Sequence, residues 1–417
     1  MRKKKKSPWG VFIAIALAIV VGTLVGTDKT IFGLTWYSIF DLFGTLFIKA
    51  LMLVVVPLVS SSIITGIARI GNEGAFGRLG AKTFGFYIST SLLAILIGLF
   101  FVNLLQPGIS ESITAQIHKV VETKVEHLDI KVVDIIYSIV PSNVVEAFSN
   151  GQMLSLVFFS LLFGYALSKV QTHASTLMGF WQGMFHTMIE ITHVIMKVLP
   201  LGVFCLVAKV FATTGIESFK PLALFVASVL LGLIVFGFIG LPLFLKFVAR
   251  VDPILHIKAM GPALITAFST SSSSATLPIT MECVEKRAGV SNKICSLVVP
   301  LGTTINMSGS ALYECVAAMF VAQAYGIELS FIVQFLVVFL ALITSMGVAG
   351  IPSGSLVSII VILKAIGLPA EGIGLFIAVD RILDMCRTTI NVFSDSCCAV
   401  LVAKSEGEQN VLKATDF

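Results

Sequence analysis

The sequence predicts an all-α polytopic membrane protein, a bundle of spanning helices, and three observations predict it. Hydrophobic residues make up 57% of the 417 and charged residues only 12%, whereas a soluble domain carries roughly 25% charged residues. Mean hydropathy is +1.00, so water is not the main solvent of this chain. Apolar stretches of about 20 residues, the length that crosses a hydrocarbon core, recur from end to end. Two or three soluble domains, which the length alone would allow, are excluded by that repetition.

A basic segment, Arg2 to Lys6, precedes the apolar run from Trp9 to Val25. It has the layout of a signal peptide but no small-residue cleavage site, so residues 9–26 read as a retained first span. Span two, 36–68, is long enough to require tilt or an extension beyond the bilayer. Span three covers 78–105. Residues 106–151 hold His118, Lys119, Glu122, Lys124, Glu126 and Asp129 in near balance, the composition of an external loop with short amphipathic pieces. Further spans are expected at 153–170, 177–214 and 221–248. With the N-terminus cytoplasmic, the Arg69/Arg78/Lys82 and Lys246/Arg250 clusters also fall inside, as the positive-inside rule requires. The net charge of +5 comes largely from such flanking clusters, so it reports topology and not a nucleic-acid partner. Seven cysteines, an odd number without CxxC spacing, read as packing residues in a reduced setting.

After Arg250 the apolar stretches are interrupted. The breaks are STSSSSAT at 269–276, NMSGS at 306–310, GVAGIPSGS at 347–355, and the polar face of the last helix. A helix broken at membrane depth leaves backbone groups unpaired, which is tolerated only where protein, water or a ligand satisfies them. A serine-rich break and a glycine-broken helix, followed by a Gly/Pro-rich break and a polar helix, read as one unit used twice, the pattern of a secondary transporter's binding region.

On a helical wheel with Asp384 at zero, Arg387 falls at about −60°, Asn391 at about −20°, Asp395 at about +20° and Thr388 at about +40°. One face therefore holds all of them. Ionisable residues inside a membrane segment are costly and normally face a cavity or a partner. Arg387 offers a planar fork that binds a carboxylate through two parallel bonds, and Asp384 can accept from an ammonium. The pair fits an acidic amino acid; the alternative is a purely structural Asp384–Arg387 ion pair. Asp380 and Arg381 are expected near the membrane edge, outside the site. A hard cation such as Na⁺ takes oxygen ligands, and Gly302, Asn306, Asn391 and Asp395 carry suitable ones, although spacing alone does not bring the two helices together.

STSSSSATLP, NMSGSALYE, GVAGIPSGS and LDMCRTTINVFSD in this order resemble the dicarboxylate/amino acid:cation symporter family of glutamate transporters, and the similarity spans the chain. The resemblance implies a homotrimer in the cell (inner) membrane, both termini cytoplasmic, each protomer having eight transmembrane helices and two re-entrant helical hairpins in inverted repeats. It divides the chain into scaffold (1–77), transport domain (78–106), external loop and scaffold (107–215), transport domain (216–404) and cytoplasmic tail (405–417), the transport domain moving as an elevator. By the same resemblance, Ser272 and Ser273 hold substrate at the first hairpin tip, Gly350 at the second, and Ser310 from the broken helix. Asp384 takes the amino group, Arg387 the side-chain carboxylate, and Thr388 and Asn391 the remaining polar atoms. One Na⁺ site falls on Gly302, Asn306, Asn391 and Asp395, and a second on Thr304, Ser345, Met346 and Val348. A third uses Tyr87, Thr90 and Ser91 with Asn306 and the Asp of the family's usual NMDGT.

Here Ser308 stands in place of that Asp. A neutral hydroxyl offsets the desolvation of a cation less than a carboxylate does, so the third site is expected to be weakened or missing, with fewer coupled Na⁺ or coupling to H⁺. The chain also has Ser271 and Met385 where family members carry one or other arginine, so Asp384 is expected to be less neutralised. No organic cofactor is expected. The expected function is import of L-glutamate or L-aspartate coupled to Na⁺ or H⁺; carriers of C4-dicarboxylates, neutral amino acids or cystine are the alternative. An intramembrane serine hydrolase would need a base beside the nucleophile, and no GxSxG or SxxK signature is present, so no enzyme is expected; a channel would not accumulate substrate.

Overall fold

The computed structural model describes residues 9–27, 29–31, 34–71, 77–109, 140–150, 152–170, 174–195, 197–214, 219–346 and 354–412. Helix α1 (Trp9–Val25) leads through a two-stranded antiparallel ribbon, Thr30–Ile31 with Leu34–Thr35, into the long α2 (Trp36–Gly71). The ribbon is a small departure from an all-α chain. Helices α3 (Gly77–Leu105), α4 (Val144–Asn150) and α5 (Met153–Val170) follow.

The expected span 177–214 is two helices, α6 (Ser175–Ile195) and α7 (Leu199–Thr214). The physical reason is Pro200, which lacks an N–H and can stand only in the first turn of a helix. Tight i to i−3 bonds from Lys197 and Val198 close α6 just before it. Helix α8 (Phe219–Val235) continues through two π-helical turns, Phe236–Gly240 and Leu245–Ala249.

The interruptions fall where the sequence placed them. Helix α9 (Pro253–Thr270) stops at the serine run and α10 (Ser273–Glu282) restarts beyond it; α11 (Asn292–Ile305) and α12 (Ser308–Ala324) flank the NMSGS break. Helix α13 (Phe331–Ser345) ends before the third break and α14 (Ser355–Ala365) follows it, residues 347–353 lying outside the described ones. A 3₁₀ turn, Ala370–Leu375, leads into α15 (Ile377–Ser405).

Among the described residues, Trp36–Ala68, Arg78–Leu105, Lys220–Ala249 and Asn292–Ala324 are long and apolar enough to cross a membrane. The last of these runs over the α11–α12 break and is wholly buried, so protein and not lipid surrounds the unpaired backbone there. The chain is a multi-pass membrane protein.

Helices α1, α2, α5, α6 and α7 pack on one another, α1 along α7 and α2 along α5, α6 and α7. The Lys209 ammonium, 2.5 Å from Asp41, ties α7 to α2. Helices α3 and α8 flank α12, and α9 and α11 lie on α15. Phe225, Tyr313, Phe320 and Phe376 form a buried aromatic cluster beside them. The seven cysteines are free and six are buried.

Residues beyond α15, expected as a cytoplasmic tail, are docked as far as Leu412. Glu406 accepts from Arg78 (2.8 Å) and Lys82 (2.5 Å) at the start of α3. Glu408 accepts from the Ser291 amide (3.0 Å) and hydroxyl, and the Leu412 amide donates to Ala288 (2.9 Å), with Val411 and Leu412 buried. The two basic partners hold the Glu406 carboxyl well below its ordinary value, at about 2. Residues 413–417 lie outside the described ones.

Candidate functional site

Helix α15 supplies the centre of the site. Asp380, Asp384, Arg387, Thr388, Asn391 and Asp395 are all buried on it, which is the single polar face the wheel predicts. Arg387 is wholly buried; its Nη2 donates to Asp384 Oδ1 (2.8 Å) and Asp380 Oδ1 (3.1 Å), and the guanidinium carbon lies 3.7 Å over the Tyr313 ring. The Tyr313 hydroxyl donates to Asp380 (3.0 Å). Among the described residues, Nε and Nη1 of Arg387 have no hydrogen-bond partner. Buried donors are almost always satisfied, so these nitrogens are available to a ligand or to a group outside the described residues.

Asp380, expected outside the site, is buried and is a second acceptor for Arg387. Four residues before Asp384 it sits at about −40° on the same wheel, a signal that was readable. Arg381 also takes part, its Nη1 3.6 Å from Asp384 Oδ2. The expectation that Asp384 would be under-neutralised is therefore corrected: two arginines of its own helix face it. Asp380, Arg381, Asp384 and Arg387 together carry no net charge, so an acidic amino acid would bring one uncompensated negative charge with it.

The broken helix meets α15 end-on. The first amides of α12 lack intrahelical acceptors, and Asn391 Oδ1 takes two of them, from Gly309 (2.8 Å) and Ser310 (3.3 Å), while its Nδ2 donates to Ser310 Oγ (3.1 Å). Gly309 is required for this approach, because a Cβ there would lie 2.9 Å from the Arg387 carbonyl and 3.1 Å from Asn391 Oδ1. Ser310 and Asn391 are brought together as the resemblance implied, one turn from Thr388.

At the first tip, Ser271 adopts a left-handed conformation (φ 50°) that reverses the chain, and its buried hydroxyl has no partner. Ser272 caps α10 through the Ala275 amide (3.2 Å), and Ser273 is buried behind it. Helix α10, which follows the tip, packs against α15. Gly350 lies outside the described residues.

Of the four residues expected at the first cation site, Gly302, Asn306 and Asp395 come together, while Asn391 turns its amide to Gly309 and Ser310. Asp395 is wholly buried, accepts from Asn306 Nδ2 through Oδ1 (2.9 Å), and leaves Oδ2 without a partner. A Cβ on Gly302 would lie 2.5 Å from Asp395 Oδ1, so only glycine lets the carboxylate reach the C-terminal turn of α11. The carbonyls ending α11 carry partial negative charge, and no basic side chain is hydrogen-bonded to Asp395. A buried carboxylate in such surroundings suits a cation, Na⁺ or H⁺.

The second site is only partly described. Thr304 and Ser345 turn their hydroxyls into their own helices, toward Leu301 (3.1 Å) and Leu342 (2.9 Å). Ile305, Ile343 and Met346 line one cavity, so the ends of α11 and α13 meet; Val348 lies outside the described residues. The third set is also brought together: Tyr87 donates to the Val298 carbonyl (2.5 Å), Thr90 to Asn306 Oδ1 (3.4 Å), and Ser91 lies 3.1 Å from Ser308. Among the described residues no cluster of three His, Cys, Asp or Glu could hold a transition metal.

Sequence reasoning missed Tyr313 and Glu314, although both stand in the quoted NMSGSALYE. Glu314 is wholly buried, and its Oε2 accepts from Thr344 (2.8 Å). A glutamate in an apolar run was the available signal.

Comparison with known proteins gives a match of residues 9–405 to the model of the sodium:dicarboxylate symporter family. The chain is 35% identical to a proton/glutamate-aspartate symporter of Escherichia coli over 98% of this chain and 95% of that one. It is 34% identical to a proton/sodium-glutamate symport protein of Bacillus caldotenax, over 98% and 96%. Human excitatory amino acid transporter 3 is 31% identical over 94% of this chain and 84% of its own length.

Proposed function

Because this chain belongs to the sodium:dicarboxylate symporter family, we propose that it carries an acidic amino acid, L-glutamate or L-aspartate, across the membrane in symport with a cation. The observation that carries the reading is the wholly buried Arg387, with Nε and Nη1 unpartnered among the described residues and Asp384 one turn away. The guanidinium binds the side-chain carboxylate, Asp384 accepts from the amino group, and the tip serines with Ser310, Thr388 and Asn391 complete the site. Gly350 closes it from the second tip. The extra negative charge of the substrate is offset by the cargo cation at Asp395, with Gly302, Asn306 and Asn391, and by a second at Thr304, Ser345, Met346 and Val348.

The packing of α1, α2, α5, α6 and α7 as one group, and of α3 and α8 to α15 as another, supports a scaffold and a transport domain moving as an elevator. In this reading there are eight spans and two re-entrant hairpins, the second around residues 347–353. The protein works as a homotrimer in the cell membrane with both termini cytoplasmic, and it is not an enzyme.

Glu314 favours a second reading of the coupling ion. A wholly buried carboxyl, next in the chain to Tyr313, whose hydroxyl donates to Asp380, is a candidate to carry H⁺ alongside or instead of Na⁺. Uptake into proteoliposomes, with Na⁺ and pH gradients imposed separately and L-aspartate, L-glutamate, succinate and cystine as substrates, tests both. Accumulation of the two acidic amino acids under either gradient is expected. Equal accumulation of succinate would remove the amino-group role of Asp384.

A further inference from the structure

The residues that a third cation would need are, in this chain, committed to one another. Ser91, Asn306, Ser308 and Ser394 are all buried, and come from α3, the α11–α12 break, α12 and α15. Ser308 Oγ lies 3.1 Å from each of Asn306 Oδ1, Ser91 Oγ and Ser394 Oγ. Asn306 Nδ2 lies 2.9 Å from Asp395 Oδ1 and 3.1 Å from Ser394 Oγ. Ser394 was not among the residues the sequence singled out; only the fold places its hydroxyl against Ser308.

Proton counting orders the cluster. The Asp395 carboxylate accepts, which fixes the amide of Asn306 with Nδ2 toward it and Oδ1 toward Ser308. Oδ1 can only accept, so the single proton of Ser308 goes there. The hydroxyls of Ser91 and Ser394 must then both donate to Ser308, using its two lone pairs, and Ser394 accepts from Nδ2. Thr90 Oγ1 also lies 3.4 Å from Oδ1, but its single proton has a nearer acceptor in the Phe86 carbonyl (2.9 Å). The oxygen at the centre, Ser308 Oγ, has no lone pair left for an ion, and it occupies one of those of Asn306 Oδ1.

We infer that a neutral, proton-ordered hydroxyl cluster of Ser91, Ser308 and Ser394 around Asn306 replaces the third cation site, joining α3, α12 and α15 without an ion. A cation placed there would displace the three hydrogen bonds of Ser308 and gain no carboxylate in return, so its dehydration would go uncompensated. Ser308 removes the charge and Ser394 fills the space and supplies a donor. The symporter therefore couples at most the cations of the first two sites, plus H⁺. This inference rests on the proposed symport of an acidic amino acid.

The test is equilibrium binding of L-aspartate or L-glutamate to the purified full-length protein at graded Na⁺, read as the slope of log affinity against log Na⁺ concentration, with charge per substrate from reversal potentials in proteoliposomes. For Ser308→Ala the slope is expected to equal that of the wild type. For the double variant Ser308→Asp with Ser394→Ala it is expected to rise by about one. Three Na⁺ per substrate in the wild type, or a slope lower by one in Ser308→Ala, overturns the inference. A double variant that binds substrate with the wild-type slope overturns the role given to these two side chains. If neither acidic amino acid binds the wild type under any gradient, it is the symport reading that falls.

Discussion

At the scale of single residues, two side chains carry the chemistry and each has a neighbour that makes it possible. Arg387 is held by Asp380, Asp384 and the Tyr313 ring while two of its nitrogens, Nε and Nη1, stay open among the described residues. A hydrogen bond to a charged group is worth about 1.5–3 kcal/mol, so Arg387→Ala should weaken acidic amino acids by roughly ten- to a hundredfold relative to serine or alanine. The ratio between substrates is the readout, because loss of the buried cation also destabilises the fold by taking the nearest positive charge from Asp380 and Asp384. Equal losses for acidic and neutral substrates would contradict the carboxylate role. Asp395 depends on Gly302 in a different way. A Cβ 2.5 Å from its Oδ1 must push the carboxylate aside, a displacement of the overpacking kind that costs about 1–3 kcal/mol. Gly302→Ala should therefore raise the cation concentration needed for half-maximal substrate binding, with affinity recovering when the cation saturates.

At the scale of elements, the breaks matter more than the helices. Where α11 stops at Ile305 and α12 starts at Ser308, one helix end offers carbonyls and the other amides. The carbonyls face Asp395, and the amides are capped by Asn391. A continuous helix would have satisfied both sets internally and left nothing for a ligand. The segment after α15 makes a different kind of junction, fastening the start of α3 and the turn before α11 through Glu406, Glu408 and Leu412. Glu406 is depressed from 4.5 to about 2 when docked, so its contribution is present above pH 4.5 and is lost as pH falls toward 2. Its partners are exposed, hence salt weakens the attachment as well. A spin label on the exposed Gln409 should stay immobile from pH 7 to pH 5 and gain mobility on further acidification. In Glu406→Gln it should be mobile at neutral pH and lose that acid response.

At the scale of the whole molecule, α2 and α5 meet α11 and α13 across an apolar cavity lined by Ile63, Leu161, Ile305 and Ile343. An apolar boundary without ion pairs to break suits sliding of one body past another. Bridging cysteines placed at Ile63 and Ile343 with a thiol-specific cross-linker should abolish uptake while substrate binding persists; undiminished uptake would remove the elevator. By itself the sequence determined the membrane class, the position of each break among the described residues, and the polar face of α15. Those are periodic or compositional properties, set by which side chains tolerate lipid. It also misjudged particulars: the single span 177–214 hid a helix start at Pro200, and Asp380 read as peripheral although it shares Asp384's face. What only the tertiary structure decided was which helices meet. Asp395 with Gly302, Asn391 with the amides of α12, and Ser394 with Ser308 are each about 80 to 90 residues apart in the chain. No local periodicity encodes such a pairing, because close approach depends on backbone crossing within one bundle, and the hydrogen-bond saturation of Ser308 exists only once three separate helices have met.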